Sequence, residues 1–237
     1  WQSQPIRLFI STHKEVDLFD SLILQPIQVG SANAECRFTY MLHDDVGDHI
    51  SNLNAQYCEL TAQYWAWKNV HAEYYGFCHY RRYFNFSSII YEENAFGEVV
   101  ESYLDEAAQA KYALDDESIK KCITGFDVIT TQFKDLRKFP GKSHTPIEQY
   151  EAAPYLHIED MYRILAILED MHPEYKHDIK TFTQGHFACF CNMFIMKKSV
   201  FNEYCSWLFP ILERFVESTD TENYSREALR TPGHLSE

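Results

Sequence analysis

The chain has 237 residues and a mass of 28.0 kDa, enough for one large domain or a core with an attached subdomain. Its 35 acidic and 21 basic residues leave a formal net charge of −14, which repels polyphosphate backbones and argues against nonspecific nucleic-acid binding. Glycine is scarce: there are 8, about half the usual share of roughly 7%, and no two lie within fifteen positions of each other, which excludes GxGxxG, the Walker loop, GxSxG and a Gly-rich kinase lid.

Residues 6–11 (IRLFIS) are a short apolar, β-branched run followed by the polar turn Thr12-His13-Lys14. This reads as a buried strand opening into a loop, with a ligand expected at the strand's carboxyl end. Residues 22–30 hold Pro26 and end at Gly30, so an irregular stretch with a short strand is expected. HDDVGDH at 43–49 is a turn dense in carboxylates and imidazoles. A helix then runs to about Asn69, capped by Ser51 or Asn54. Its buried stripe is Leu53, Tyr57, Leu60, Tyr64 and Trp67, widened by Cys58, Ala62 and Trp65; Glu59 and Gln63 fall on another face.

A second buried strand covers 74–80 and leads straight into Arg81-Arg82-Tyr83-Phe84. Residues 95–123 are acidic and read as two helices broken near Leu114-Asp115. FDVITT at 126–131 is a third strand. Pro140, Gly141 and Pro146 make 132–150 a loop that orders on ligand binding. Residues 158–171 form a helix ended by Pro173. Residues 187–196 read as one strand around Asn192, and 200–215 as a helix bent or interrupted at Pro210. Strands interleaved with helices predict an α/β sandwich. The seven cysteines include no CxxC pair, which fits reduced, buried thiols in a cytoplasmic protein better than a zinc ribbon or a disulfide scaffold. No apolar run reaches the roughly 18 residues that span a bilayer.

Chemistry concentrates in GFCHYRRYF, residues 76–84. Two arginines directly after a buried strand invert the local field of an acidic chain. Each is a planar, permanent cation suited to bidentate phosphate binding. Strand alternation sets His79 and Arg81 on the same face. A plain ion pair with a surface carboxylate is the other explanation for either arginine. His43, Asp44, Asp45, Asp48 and His49 form a second cluster: a divalent-metal site, a general base, or an ordinary Asx-rich turn with Gly47 at positive φ. His157, Glu159 and Asp160 open a helix, where Asp160 also suits the helix dipole. Lys142 and His144 lie in the loop that orders. Asn192 is the one amide in an apolar run, able to reach a sugar hydroxyl.

Across the chain the segments IRLFISTHK, PIQVGSA, DDVGDHISNLNAQYCELTAQYWAWKN, GFCHYRRYF, FDVI, CNMFIMKKSVFNEYCSWLFPIL and GHLSE occur in order. Together they resemble a bacterial glycosyltransferase family of capsule and O-antigen (lipopolysaccharide) gene clusters, long known only as a domain of unknown function. The resemblance implies a GT-A-like fold, a nucleotide-binding sandwich with a mixed, mostly parallel central sheet flanked by helices. It implies transfer of a hexose such as galactose from a nucleotide sugar such as a UDP-sugar to a growing polysaccharide or lipid-linked glycan. It also implies that residues 1–237 are one domain, a fragment or module of a longer chain, cytoplasmic and held at the inner face of the plasma membrane through other modules.

Where GT-A enzymes carry a metal-holding DxD motif, this chain has His79-Tyr80-Arg81-Arg82. The expectation is that Arg81 and Arg82 take over the metal's electrostatic task, with no metal ligand assigned. Divalent Mn or Mg held by His79 with Asp44 or Asp45 is the alternative. Under the resemblance, Thr12 and His13 floor the nucleoside, while Asp44 and Asp45 contact ribose or sugar. Asp45, Asp160 and Glu237 are candidate bases for the acceptor hydroxyl. A noncatalytic glycan-binding module is the competing function, since aromatic and acidic surfaces also suit neutral sugars.

Overall fold

The computed structural model describes residues 5–16 and 20–236, so Glu237 lies outside the described residues. A six-stranded sheet is ordered β3-β2-β1-β4-β8-β5. Its first four strands in the chain are β1 (Ile6–Thr12), β2 (Leu24–Gln28), β3 (Leu42–His43) and β4 (Tyr74–His79). Between β3 and β4 lie helices α1 (Asn54–Tyr57) and α2 (Leu60–Asn69). Then follow α3 (Glu106–Lys111), α4 (Asp116–Ile123), β5 (Val128–Thr130), β6 (Lys134–Asp135), α5 (Pro146–Ala152), α6 (Ile158–Met171) and α7 (Lys176–Thr183). The chain continues with β7 (Phe187–Ala188), β8 (Phe194–Lys197), α8 (Lys198–Ser218) and α9 (Thr231–Leu235). Strands β1 to β4 pair in parallel, β8 runs antiparallel to β4 and β5, and β6 pairs with β7 in a separate ribbon.

Every residue of β1 is buried, as expected of a parallel strand covered on both faces. On one face Phe9 stacks on Phe77 and meets the edge of Trp65; this core continues into residues of α2, α6 and α8. On the other face Leu8 and Ile10 pack with Cys78 and Ile195, under Ala108 of α3 and Ile119 and Ile123 of α4. The result is helix, sheet, helix. Gly76 makes the middle of the sheet possible: a Cβ there would meet Leu8 Cγ at 2.7 Å and Ile195 Cγ1 at 3.0 Å. Pro26 is tolerated in β2 because β3 pairs only with Ile27 and Gln28, leaving Pro26 on what is locally an edge.

Four sequence expectations change. The helix over 51–69 is not continuous: it opens as a 3₁₀ turn that runs into α1, and Cys58, at φ 50 and ψ −129, separates α1 from α2. Leu53 is exposed, while Gln63, placed off the apolar stripe, is fully buried. The strand over 187–196 is two strands, β7 and β8, separated where Cys191 and Asn192 take φ 84 and 49. The loop over 132–150 contains the start of α5, nucleated by a capping box between Thr145 and Glu148 with Pro146 in the first turn. Helix α8 runs from Lys198 to Ser218 with Pro210 inside it. Among the described residues no helix is long and apolar enough to cross a membrane.

Candidate functional site

From β1 the chain steps outward through β2 and β3, then returns to place β4 on the other side of β1. The crevice beyond the carboxyl ends of β1 and β4 is therefore the point where strand order reverses, the usual ligand position in open α/β sheets. Ser11 of β1 is registered with His79 of β4, so the turns after both strands emerge side by side.

Residues 79–82 close into a tight turn: Arg82 N donates to His79 O at 2.9 Å and His79 N to Arg82 O at 3.2 Å. Tyr80 N donates to Ser11 O at 3.1 Å, tying this turn to β1. The Tyr80 ring is a shared platform. The His13 ring meets it edge-on at 5.5 Å, the His79 ring lies 4.3 Å away, and the Arg81 guanidinium sits 5.1 Å from its centroid. Both Arg81 and Arg82 are exposed, and among the described residues neither has a carboxylate at ion-pair distance.

The field of this corner is written into its imidazoles. Burial, then Arg82, Arg81, His13 and Arg230, push His79 down to about 4. Burial, then Lys14, Arg81, Arg230 and Arg226, depress His13. His234 is lowered by burial and then by Arg230, against an opposing pull from Glu59. The C-terminal segment thus brings Arg226 and Arg230 within electrostatic reach of the turns after β1 and β4, with His234 beside Arg230. Sequence reasoning missed these three along with Glu59. The signal available was the Arg226–Arg230 spacing of four in SREALR, which places two cations on one helical face.

The remaining expected residues have distinct surroundings. The Thr12 hydroxyl accepts from Lys14 N at 3.0 Å and donates to Lys14 O at 2.8 Å, so it shapes the turn that presents His13. Asp44 is fully buried. Its carboxylate accepts from Gly30 N at 2.8 Å, Ser31 N at 3.0 Å and the Ser51 hydroxyl. Asp45 holds Arg37 in a two-pronged ion pair, and that pairing is the leading cause of its depressed pKa. Gly47 has φ 80, and Asn69 pins Asp48 by two hydrogen bonds, so this segment is a built turn. Asp160 is 1% exposed and both its oxygens accept from the Tyr224 hydroxyl, at 2.8 and 2.9 Å. His157 stacks on the same tyrosine at 4.7 Å.

Asn192 stands beside the crevice. It lies two residues before Phe194, whose ladder partner is Phe77, and His79 lies two residues after Phe77. Its amide donates to Gly233 O at 3.0 Å and Glu59 Oε1 at 3.4 Å, and its carbonyl accepts from Ser236 Oγ at 3.3 Å. Ser236 and His234 also border an apolar cavity of about 450 Å³ enclosed by α5, α6, α7 and α8, with Tyr204 and Trp207 among its walls.

Among the described residues the donor set at this corner does not suit a divalent cation. Among the described residues no group of three or more His, Cys, Asp or Glu side chains is placed to hold one. Asp44 and Asp45 are engaged elsewhere, and His79 sits among cations. An anion is the complementary ligand.

No curated protein sequence is significantly similar to the chain. The structure superposes on that of the WbbM bifunctional glycosyltransferase in its apo form with a TM-score of 0.92 and 36% identity, covering 98% of this chain and 41% of that one. The mixed, mostly parallel sheet flanked by helices is thus a fold shared with a glycosyltransferase, over about two-fifths of that chain's length. Residues 7–237 match the family profile described as Domain of unknown function (DUF4422), and the chain belongs to that family.

Proposed function

We propose that the chain is a glycosyltransferase module that moves a hexose from a nucleotide diphosphate sugar, such as a UDP-hexose, to a growing glycan. The observation that carries this reading is the convergence of Arg81, Arg82, Arg226, Arg230 and Lys14 on His13 and His79 at the reversal point of the sheet, in a chain of net charge −14. The 36% identity to a structure named as a bifunctional glycosyltransferase supports it. Arg81 and Arg82 meet the diphosphate, and the His13 turn and Tyr80 platform floor the nucleoside. Asn192 lies on the sugar side. As the anomeric bond breaks, charge builds on the leaving diphosphate, and preset guanidinium groups stabilise it without reorganising. A capsule or O-antigen glycan as acceptor, and work at the cytoplasmic face of a membrane, belong to the same proposal.

A thermal-shift panel tests it. UDP, GDP or CMP raises the melting temperature, because a ligand bound only by the folded state stabilises by mass action. Stabilisation by neutral oligosaccharides alone favours a glycan-binding module instead.

Proton uptake is a second signature. His79 is neutral at pH 7 because burial and two arginines disfavour its cation. A folded pKa below the ordinary value of about 6.5 means that the unfolded chain binds the extra proton first. Stability is therefore full above 6.5 and falls as pH drops toward 4. A bound diphosphate offsets the arginine field and raises the imidazole pKa. Calorimetry at pH 5.5 in buffers of different ionisation enthalpy is expected to show proton uptake on UDP binding, reduced in His79→Gln.

A further inference from the structure

A direct displacement is assisted by a general base that takes the acceptor proton, and a carboxylate close to the diphosphate corner is suited to the task. Asp160 and Asp45 are committed to Tyr224 and Arg37. Glu59 is placed differently. It is partly exposed, and it shares His234 with Arg230, since both act on that imidazole. Its Oε1 accepts from Asn192 at 3.4 Å, while Asn192 in turn accepts from Ser236 on the cavity wall. A hydrogen-bonded chain Glu59–Asn192–Ser236 thus runs from the cationic corner to the cavity.

The backbone around this pair is held in unusual conformations. Among the described residues four non-glycine positions have positive φ, and three of them are Cys58, Cys191 and Asn192. Cys58 immediately precedes Glu59 and breaks the helix there. Its sulfur accepts from Arg230 Nε at 3.2 Å, and a Cβ on Gly233 would lie 3.2 Å from it. Such strain persists only where surrounding contacts over-determine it, and it clusters at functional sites. Here the positions concerned are Asn192 itself and the residue immediately before Glu59, the two partners of that hydrogen bond.

We propose that Glu59 is the general base of sugar transfer and that Asn192 holds it in position. This rests on the glycosyltransferase reading above. The acceptor hydroxyl gives its proton to the Glu59 carboxylate, and its oxygen forms a bond to the anomeric carbon. The bond from that carbon to the diphosphate oxygen breaks, and its electron pair leaves with the nucleotide diphosphate beside Arg81 and Arg82. A single displacement of this kind inverts the anomeric centre.

The test compares wild type with Glu59→Gln and Glu59→Asp, measuring UDP affinity, melting temperature, and the rate, pH profile and product configuration of transfer from a UDP-hexose. The expected result is a fall in kcat of about 10²–10⁴-fold in Glu59→Gln, with UDP affinity and melting temperature close to wild type and the acid limb of the profile lost. Glu59→Asp keeps the acid limb with a smaller loss in rate, and the product is inverted. A carboxylate that only favours the start of α2 predicts a lower melting temperature with kcat retained. Glu59→Gln transferring within threefold of wild type, or a retained anomeric configuration, overturns the proposal. If Glu59→Gln fails to fold, Glu59→Asp with a wild-type rate and no acid limb does the same. Wild type that neither binds UDP nor transfers a hexose overturns the glycosyltransferase reading instead.

Discussion

Arg81→Ala and Arg82→Ala are each expected to slow sugar transfer by about 10²–10³-fold, the usual consequence of removing one preorganised group that meets developing transition-state charge. Both guanidinium groups are exposed and without a carboxylate partner among the described residues, so deletion strands no buried anion and leaves the fold intact. Melting temperatures within about 2 °C of wild type are the expected control, since surface substitutions usually stay within about 0.5 kcal/mol. Arg81→Lys and Arg82→Lys keep the charge but lose the planar fork, so they recover only part of the rate. The Arg81→Ala/Arg82→Ala double variant is expected to fall short of the product of the two single effects, because under the proposed role the two neighbouring groups serve one diphosphate and their effects are not independent. UDP affinity in wild type weakens as salt rises, because exposed charges are screened beyond about 8–10 Å. A wild-type rate in either alanine variant would place the diphosphate elsewhere.

The largest effect on stability is expected at Asp44. Its carboxylate is fully buried and accepts from two backbone amides and the Ser51 hydroxyl. Asp44→Ala leaves these donors without their anion. Hydrogen bonds to a charged group contribute roughly 1.5–3 kcal/mol each, so a loss of about 3–5 kcal/mol is expected after relaxation. For a chain of this size that lowers the melting temperature by roughly 10 °C, at about 2–4 °C per kcal/mol. Asp44→Asn keeps the shape but turns an amide donor toward another donor, and is expected to fall between wild type and alanine. A direct ribose contact predicts the opposite pattern, an unchanged melting temperature with weakened UDP binding. Differential scanning calorimetry beside a binding titration separates the two.

Buried strands were legible in the sequence because a parallel strand covered on both faces is a continuous apolar run, as in IRLFIST and YYGFCH. The place of Arg81 and Arg82 directly after β4 was legible for a related reason, since a polar pair that follows such a run marks where the buried strand ends. What escaped depended on contacts between distant segments. Nothing local in YCELTA announces that Cys58 takes a positive φ, and its contacts there are with Arg230 and Gly233, more than 170 positions away. The break at Cys191-Asn192 is hidden in the same way by an apolar run that reads equally well as one strand. The capping box at Thr145 and Glu148 was a local signal, masked by Pro140 and Gly141 just before it. Asp44 and Asp45 looked alike on the page, yet one is enclosed by backbone amides and the other reaches out to Arg37. Only the fold distinguishes them.

Isothermal titration of UDP, first in excess chelator and then in manganese, decides whether side-chain cations hold the diphosphate. Wild-type protein is expected to bind UDP in chelator with little change on adding manganese, while the Arg81→Ala/Arg82→Ala double variant loses binding in both. Binding that disappears in chelator, returns with manganese and survives in the double variant would contradict a diphosphate held by Arg81 and Arg82.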